Sequence, residues 1–382
     1  MSKAAVNPEV IRWALSRAGL TEADLKHKFT KIAQWSTGKS QPSLRQLESL
    51  AKATFMPLGM LFLKKPPEDK FPIPYFRTIK DGIADNPSPN LIETIHMMQS
   101  RQAWMKDFLL EKGQPSLSYV GSVRPDEDSH AVADKILQTL GFKRDWASLE
   151  TTWTDALRVM RDNMERIGVL VTVNGVVGNN THRRLSLNEF RGFVLVDQYA
   201  PLVFVNGADA KAAQMFTLAH ELAHVFLGSS AAFDLREMQP ADNPIELACN
   251  RIAAEFLIPE KSLRQTWDSA QGTPDVFQLI ARRFKVSVLV AARRALDLGF
   301  IKKAEFLDFY EDYKKDEHRR NIRRGEGGDF YATQSLRIGQ RFAYAVYRAT
   351  KEGKLLYSEA YHLTGLYGKS FDRYTDTLSL GA

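Results

Sequence analysis

The order of apolar and polar positions divides the chain into a helical beginning, a mixed middle and a helical end. Val10, Ile11, Leu15 and Ala18 recur at helical spacing up to Gly19, and a second apolar segment covers 25–35. A Thr-Gly-Lys-Ser turn at 37–40 follows; then Ser43, placed as an N-cap after Pro42, opens a helix to about 53. Residues 56–63 predict one more short apolar helix. Between 64 and 90 six prolines (Pro66, Pro67, Pro72, Pro74, Pro87, Pro89) interrupt any helix or ladder. Amphipathic helices are expected at 92–112, 130–141 and 153–167. Three strand-like runs come next, at 169–173, 192–196 and 202–205, the last two joined by a turn at 197–201. Asn206-Gly207-Ala208-Asp209 closes that hairpin and opens a long helix over 210–227, stopped by Gly228. Helices at 244–258, 260–268, 274–284 and 287–298 follow, and from Ile301 the tail is helical again apart from a polar stretch at 314–329.

This pattern predicts an α+β chain. Its parts are an all-helical N-terminal domain over 1–65, a proline-rich linker over 66–90, a central domain over 91–300 with a small antiparallel sheet, and a helical C-terminal region over 301–382. With 382 residues, more than one core is expected. The hydrophobic share of 44% and charged share of 25% are those of an ordinary globular protein. Cys249 is the only cysteine, so an internal disulfide is excluded. The first 20 residues lack the apolar run of a signal peptide, and no run approaches the roughly 20 residues of a membrane span. A cytoplasmic, soluble protein without a membrane partner is the expectation. The net charge of +7 is a mild bias towards polyanionic partners, DNA among them.

The chemistry concentrates in His220-Glu221-Leu222-Ala223-His224, inside the helix predicted over 210–227. Residues four apart share a helix face, so His220 and His224 point to one spot and together can bind a zinc ion. Glu221 can reach a water activated at that ion without being a ligand, take its proton and pass it to the leaving amine. A catalytic zinc site needs a third protein ligand. On the next helix Glu246 and Asn250 share a face, which suits Glu246 to the metal and Asn250 to fixing the ring of a ligand histidine. Asp234, Glu237, Asp242 and Glu255 are the alternative third ligands. Cys249, beside Asn250 and off the face of Glu246, reads as a small buried residue. His182 has the chemistry to stabilise an oxyanion, as has Tyr199, although both also read as surface-loop residues.

The pairing of HELAH with Glu246-Leu-Ala-Cys-Asn-Arg-Ile-Ala-Ala-Glu-Phe-Leu-Ile-Pro259, behind a helix-turn-helix-like beginning, resembles the ImmA/IrrE family of bacterial metallopeptidases, often fused to a repressor-type (XRE-like) helix-turn-helix domain. The tail Gly327-Gly-Asp-Phe-Tyr-Ala-Thr-Gln334 shares in the resemblance. It implies a gluzincin-like fold, zinc held by His220, His224 and Glu246, and a catalytic Glu221. It also implies a role in cleaving or inactivating repressor proteins in stress, mobile-element or toxin–antitoxin regulation.

Residues 33–47 resemble the end of a repressor-type helix-turn-helix domain, with Trp35, a Gly38 turn, Pro42 and a helix opened by Ser43. Lys26, His27, Lys28, Lys31 and Gln34 are the candidate DNA contacts, mostly to phosphates. Only about ten residues serve as second helix and turn, however. The segment therefore also reads as a degenerate module for homodimerisation or partner docking. The basic run 314–324 suits a phosphate-tracking arm or a solvated hinge, and 358–374 reads as helix, glycine turn, helix. Two functions compete on these residues. One is a zinc-dependent protease acting on a repressor or another regulatory protein. The other is a DNA-binding regulator, or an antitoxin that neutralises a toxin by contact, with the zinc domain as sensor or docking module.

Overall fold

The computed structural model describes residues 4–67, 87–233, 243–270, 273, 275–320 and 330–379. They fall into two compact units that divide within one long helix, between His96 and Met97. In the first unit, α1 (Pro8–Arg17) starts from Asn7, whose side chain accepts from Glu9 N–H, with Pro8 in the first turn where its missing donor costs nothing. Two very short helices follow, α2 (Glu22–Leu25) and α3 (Ile32–Ser36). Next is α4 (Leu44–Ala53), opened by a reciprocal capping box in which Gln46 accepts from Ser43 N–H at 2.8 Å and Ser43 accepts from Gln46 N–H. A 3₁₀ turn at Leu58–Phe62 closes the unit over a core of Val10, Ile11, Ile32, Trp35, Leu47 and Leu61. The apolar segment over 25–35 thus holds the end of α2 and most of α3, with turns between them in place of a continuous ladder.

The long helix α5 (Pro89–Glu111) leads into the second unit, so the stretch 66–90 expected as a linker ends inside a helix, while 68–86 lies outside the described residues. Helices α6 (Ser129–Leu140) and α7 (Trp153–Arg166) precede strand β1 (Leu170–Asn174). A hairpin of β2 (Val176–Val177) and β3 (Asn180–Arg184) forms a separate two-stranded sheet. Strands β4 (Gly192–Leu195) and β5 (Leu202–Asn206) pair antiparallel as expected, with Val194 opposite Val203.

After helix α8 (Lys211–Leu227), a short strand β6 (Ala231–Phe233) adds to β4, giving the order β1-β5-β4-β6. The sheet is mixed and so departs from the antiparallel expectation: β1 runs parallel to β5, Leu170 level with Leu202. The intervening β2–β3 hairpin and β4 make that crossover possible. Every position of β1 and β5 is buried. Val171, Val173, Val194, Val203 and Val205 join the core formed with α6, α7 and α8, and the alternate residues Phe193 and Phe204 stack at 4.8 Å.

Helix α8 is the central helix, buried continuously from Gln214 to Phe226. Gly228 ends it at φ +73°, and a Cβ there would stand 3.0 Å from Gly121 Cα, so both the turn and the close approach call for glycine. Helix α9 (Pro244–Leu257) packs along α8; Asn243 caps it by accepting from Ile245 N–H. Helices α10 (Glu260–Ala270), α11 (Val276–Phe284) and α12 (Val288–Asp297) complete the core. The C-terminal helices are α13 (Lys303–Arg320), α14 (Phe330–Ile338), α15 (Gln340–Lys351), α16 (Tyr357–Thr364) and α17 (Lys369–Ser379). They belong to the same unit as the sheet. Helix α14 lies along β1, and buried Arg101 on α5 donates to the carbonyls of Arg337 and Leu363. No helix among the described residues is long and apolar enough to cross a membrane.

Candidate metal centre

His220 and His224 lie one turn apart on α8, fully buried, with their Nε2 atoms 3.1 Å from each other. Glu246, in the first turn of α9 and 3% exposed, brings one carboxylate oxygen to 3.2 Å from His220 Nε2 and the other to 3.1 Å from His224 Nε2. The three edges are therefore nearly equal. Ligands held at about 2.0–2.1 Å in a tetrahedron stand roughly 3.3 Å apart, so the triangle matches one face of a zinc shell with little adjustment.

Asn250, one turn after Glu246, places Oδ1 3.1 Å from His220 Nδ1. That amide oxygen can only accept, so His220 carries its proton on Nδ1 and turns a bare Nε2 lone pair towards His224 and Glu246. Burial holds the His220 imidazole down to about 4, against the pull of Glu246 in the other direction. Burial would raise Glu246, but the two imidazoles outweigh it and bring the carboxyl to about 2. A neutral imidazole and an ionised carboxylate are the forms that bind metal. At most one proton, on His224 Nε2, fits among the three converging acceptors, and the contacts it leaves set acceptor against acceptor. A cation at their centre removes that repulsion. The residues fit the group.

Glu221 follows His220 directly and is fully buried, and neither of its carboxylate oxygens meets a hydrogen-bond partner among the described residues. Burial, and then the nearby Glu246 charge, push its carboxyl well above the ordinary range; a bound divalent ion acts in the opposite sense. Gly192, the first residue of β4, lies against it. A Cβ on Gly192 would lie 3.1 Å from Glu221 Oε1 and 2.5 Å from Thr217 Cγ2. The bare glycine thus leaves the space into which the carboxylate fits.

Among the alternative ligands, Asp234, Glu237 and Asp242 lie outside the described residues. Glu255 is committed elsewhere: it pairs with buried Arg294 and accepts from Glu260 N–H, tying the end of α9 to the start of α10. Cys249 is nearer than its helical position suggested. With His220 and His224 it forms a buried cluster whose ligand atoms all lie within 4.8 Å, a set compatible with a metal ion. Burial, with help from Glu246 and Glu221, pushes its thiol well up, so as a free thiol it adds no charge to the triangle.

His182 is exposed on β3, in the separate two-stranded sheet, and is a strand residue where a loop was expected. Tyr199 lies in the turn beyond the end of β4 remote from Gly192, its N–H donating to Asp197. In the first unit, Lys26, His27, Lys28, Lys31 and Gln34 are all exposed, but they are spread over the turn after α2 and the five-residue α3. Sequence reasoning missed Gly192 and the approach of Cys249. A glycine opening an otherwise apolar strand was the available signal for the first.

Two family models match parts of the chain. Residues 338–377, over the last three helices, match a family described as a domain of unknown function (DUF8813). No curated protein matches the chain. Residues 164–296, which include the sheet, α8 and α9 and so the whole His220–Glu221–His224–Glu246 cluster, match the peptidase M78 family model, described as the IrrE N-terminal-like domain.

Proposed function

We propose that the unit containing α8 and α9 is a zinc-dependent metalloendopeptidase that cleaves a regulatory protein partner, within a cytoplasmic regulator of transcription, stress or toxin–antitoxin response. The observation that carries this reading is the convergence of three metal-competent donors within 3.2 Å, next to a buried carboxylate with no hydrogen-bond partner among the described residues. Zinc, when bound, supplies a Lewis acid that polarises a scissile carbonyl and acidifies water. His220, His224 and Glu246 hold it, and Asn250 orients His220. Glu221 accepts the proton of the attacking water at a carboxylate oxygen and delivers it to the departing amine nitrogen. Gly192 keeps the space that Glu221 needs for both transfers. The test is cleavage of the proteins encoded beside this gene by wild type and Glu221→Gln. Loss of cleavage with zinc retained supports the mechanism; equal cleavage by both refutes it.

A second reading, a DNA-binding regulator or contact antitoxin, draws support from where the charge lies. The first 67 residues carry eleven Lys and Arg against four Asp and Glu, a net +7 that equals the charge of the whole chain. The rest of the chain is balanced. With α3 only five residues long, this excess suits phosphate contact better than reading of base edges. Gel shifts over several salt concentrations decide the matter. Binding that weakens steeply with salt supports the DNA-binding form of this reading, and no binding at low salt rules that form out.

A further inference from the structure

Taking the zinc reading above as its basis, we propose that Cys249 is a fourth ligand to the ion, so that the resting centre is a closed His220–His224–Glu246–Cys249 site with no position for water. Three observations lead there. The cysteine sulfur, His220 and His224 offer ligand atoms within 4.8 Å of one another, from the two helices that also supply Glu246 and Asn250. Zinc bonds of about 2.3 Å to sulfur and 2.0–2.1 Å to nitrogen put such atoms roughly 3.6 Å apart in a tetrahedron. The sulfur therefore has little more than an ångström to travel, within reach of a χ1 adjustment.

The second observation is burial. His220, Glu221, His224 and Cys249 are each 0% exposed, and Glu246 is 3% exposed. A working hydrolytic centre needs a water and a carbonyl at the ion, whereas a structural centre is closed by four protein donors. The third is the set of buried polar atoms here that lack a hydrogen-bond partner among the described residues: both oxygens of Glu221, Oε1 of Glu246 and Nδ1 of His224. The pocket is built of polar groups that the surrounding protein covers. A thiolate is the strongest zinc donor this chain has, and Cys249 is its only thiol. As the sulfur–metal bond forms the S–H bond breaks, and its proton leaves to solvent. Hydrolysis then requires the reverse exchange, with the thiol regaining a proton and a water taking its place. The thiol thereby sets a threshold that substrate binding must overcome.

Cobalt substitution of the full chain tests this separately from the zinc reading. The protein is loaded with Co²⁺ and its absorption compared between wild type and Cys249→Ala. The expected result is tetrahedral d–d absorption in both proteins, with a near-ultraviolet thiolate-to-cobalt charge-transfer band in wild type alone. Chelator competition should show about a tenfold or greater loss of affinity in the variant. Tetrahedral d–d bands without a charge-transfer band in wild type overturn the fourth ligand while leaving the three-ligand site intact. A charge-transfer band that persists in Cys249→Ala overturns it as well. Failure of wild type to bind cobalt at all overturns both. Because the wild-type spectrum alone decides the first point, poor folding of the variant does not rescue the proposal.

Discussion

Asn250→Ala offers a measurable handle on how α9 organises the metal site. The substitution removes the oxygen that accepts from His220 Nδ1–H at 3.1 Å, while Glu246, one turn away on the same helix, stays in place. His220 is fully buried, so its N–H loses its partner where water does not easily replace it. A buried donor left unsatisfied costs about 1–3 kcal/mol. The ring is also freed to place its proton on Nε2, which blocks the lone pair the metal needs. Loss of an orienting partner behind a ligand histidine typically weakens metal binding about 10–100-fold, equivalent to about 1.4–2.7 kcal/mol. The two routes agree in size. Competition of the purified protein with a chromophoric zinc chelator at neutral pH reads this directly. Asn250→Ala should bind zinc about 10–100-fold more weakly at unchanged stoichiometry, and Asn250→Asp, which keeps an acceptor, should fall much less. Wild-type affinity in Asn250→Ala would show that the contact does not orient His220 for a metal.

Three further outcomes follow from the same structure. Gly192→Ala should lower any peptidase turnover about 100-fold with zinc binding retained, because the new Cβ crowds Glu221 Oε1 and Thr217; unchanged turnover would separate Gly192 from the site. Glu165, 6% exposed on α7, is raised by burial from an ordinary 4.5 to about 7. The fold therefore holds a proton that the unfolded chain gives up, and stability from this group is full below about pH 4.5 and lost as pH rises through 7. Glu165→Gln should thus gain up to about 3 kcal/mol over wild type in urea melts above pH 7 and nothing near pH 4.5; a pH-independent difference contradicts this. Arg294→Met takes the guanidinium from buried Glu255, leaving it only the half-exposed His130 at 3.6 Å, and should cost about 3–5 kcal/mol, most of it recovered by adding Glu255→Leu; strict additivity in the double variant would rule out the pair.

Much of the site was legible because its chemistry is local. The spacing of His220 and His224 follows from one helix, and Gly228 marks where α8 ends. The meeting of Glu246 with those histidines is a matter of packing between α8 and α9, and the helix faces alone left five acidic candidates. Glu255 already stood more than two turns from Glu246 on the same helix, and its partner is Arg294, 39 residues further on, a pairing that no local pattern announces. The parallel pairing of β1 with β5 was equally hidden, since buried strands carry the same apolar run in either direction. Cys249 is buried as its sequence position suggested, but its closeness to His220 and His224 depends on the packing of α9 against α8, which helix angles measured from Glu246 do not give. The β2–β3 hairpin went unread because Asn180–Arg184 is polar at nearly every position.

The central claim is a metal centre assembled from two helices, and metal content tests it most directly. Purified wild type, Glu246→Ala and His220→Ala are dialysed against the same limiting zinc and assayed by elemental analysis, with circular dichroism confirming that each is folded. Wild type is expected to retain about one zinc per chain, His220→Ala essentially none, and Glu246→Ala far less than wild type. Undiminished zinc in folded Glu246→Ala would contradict the account.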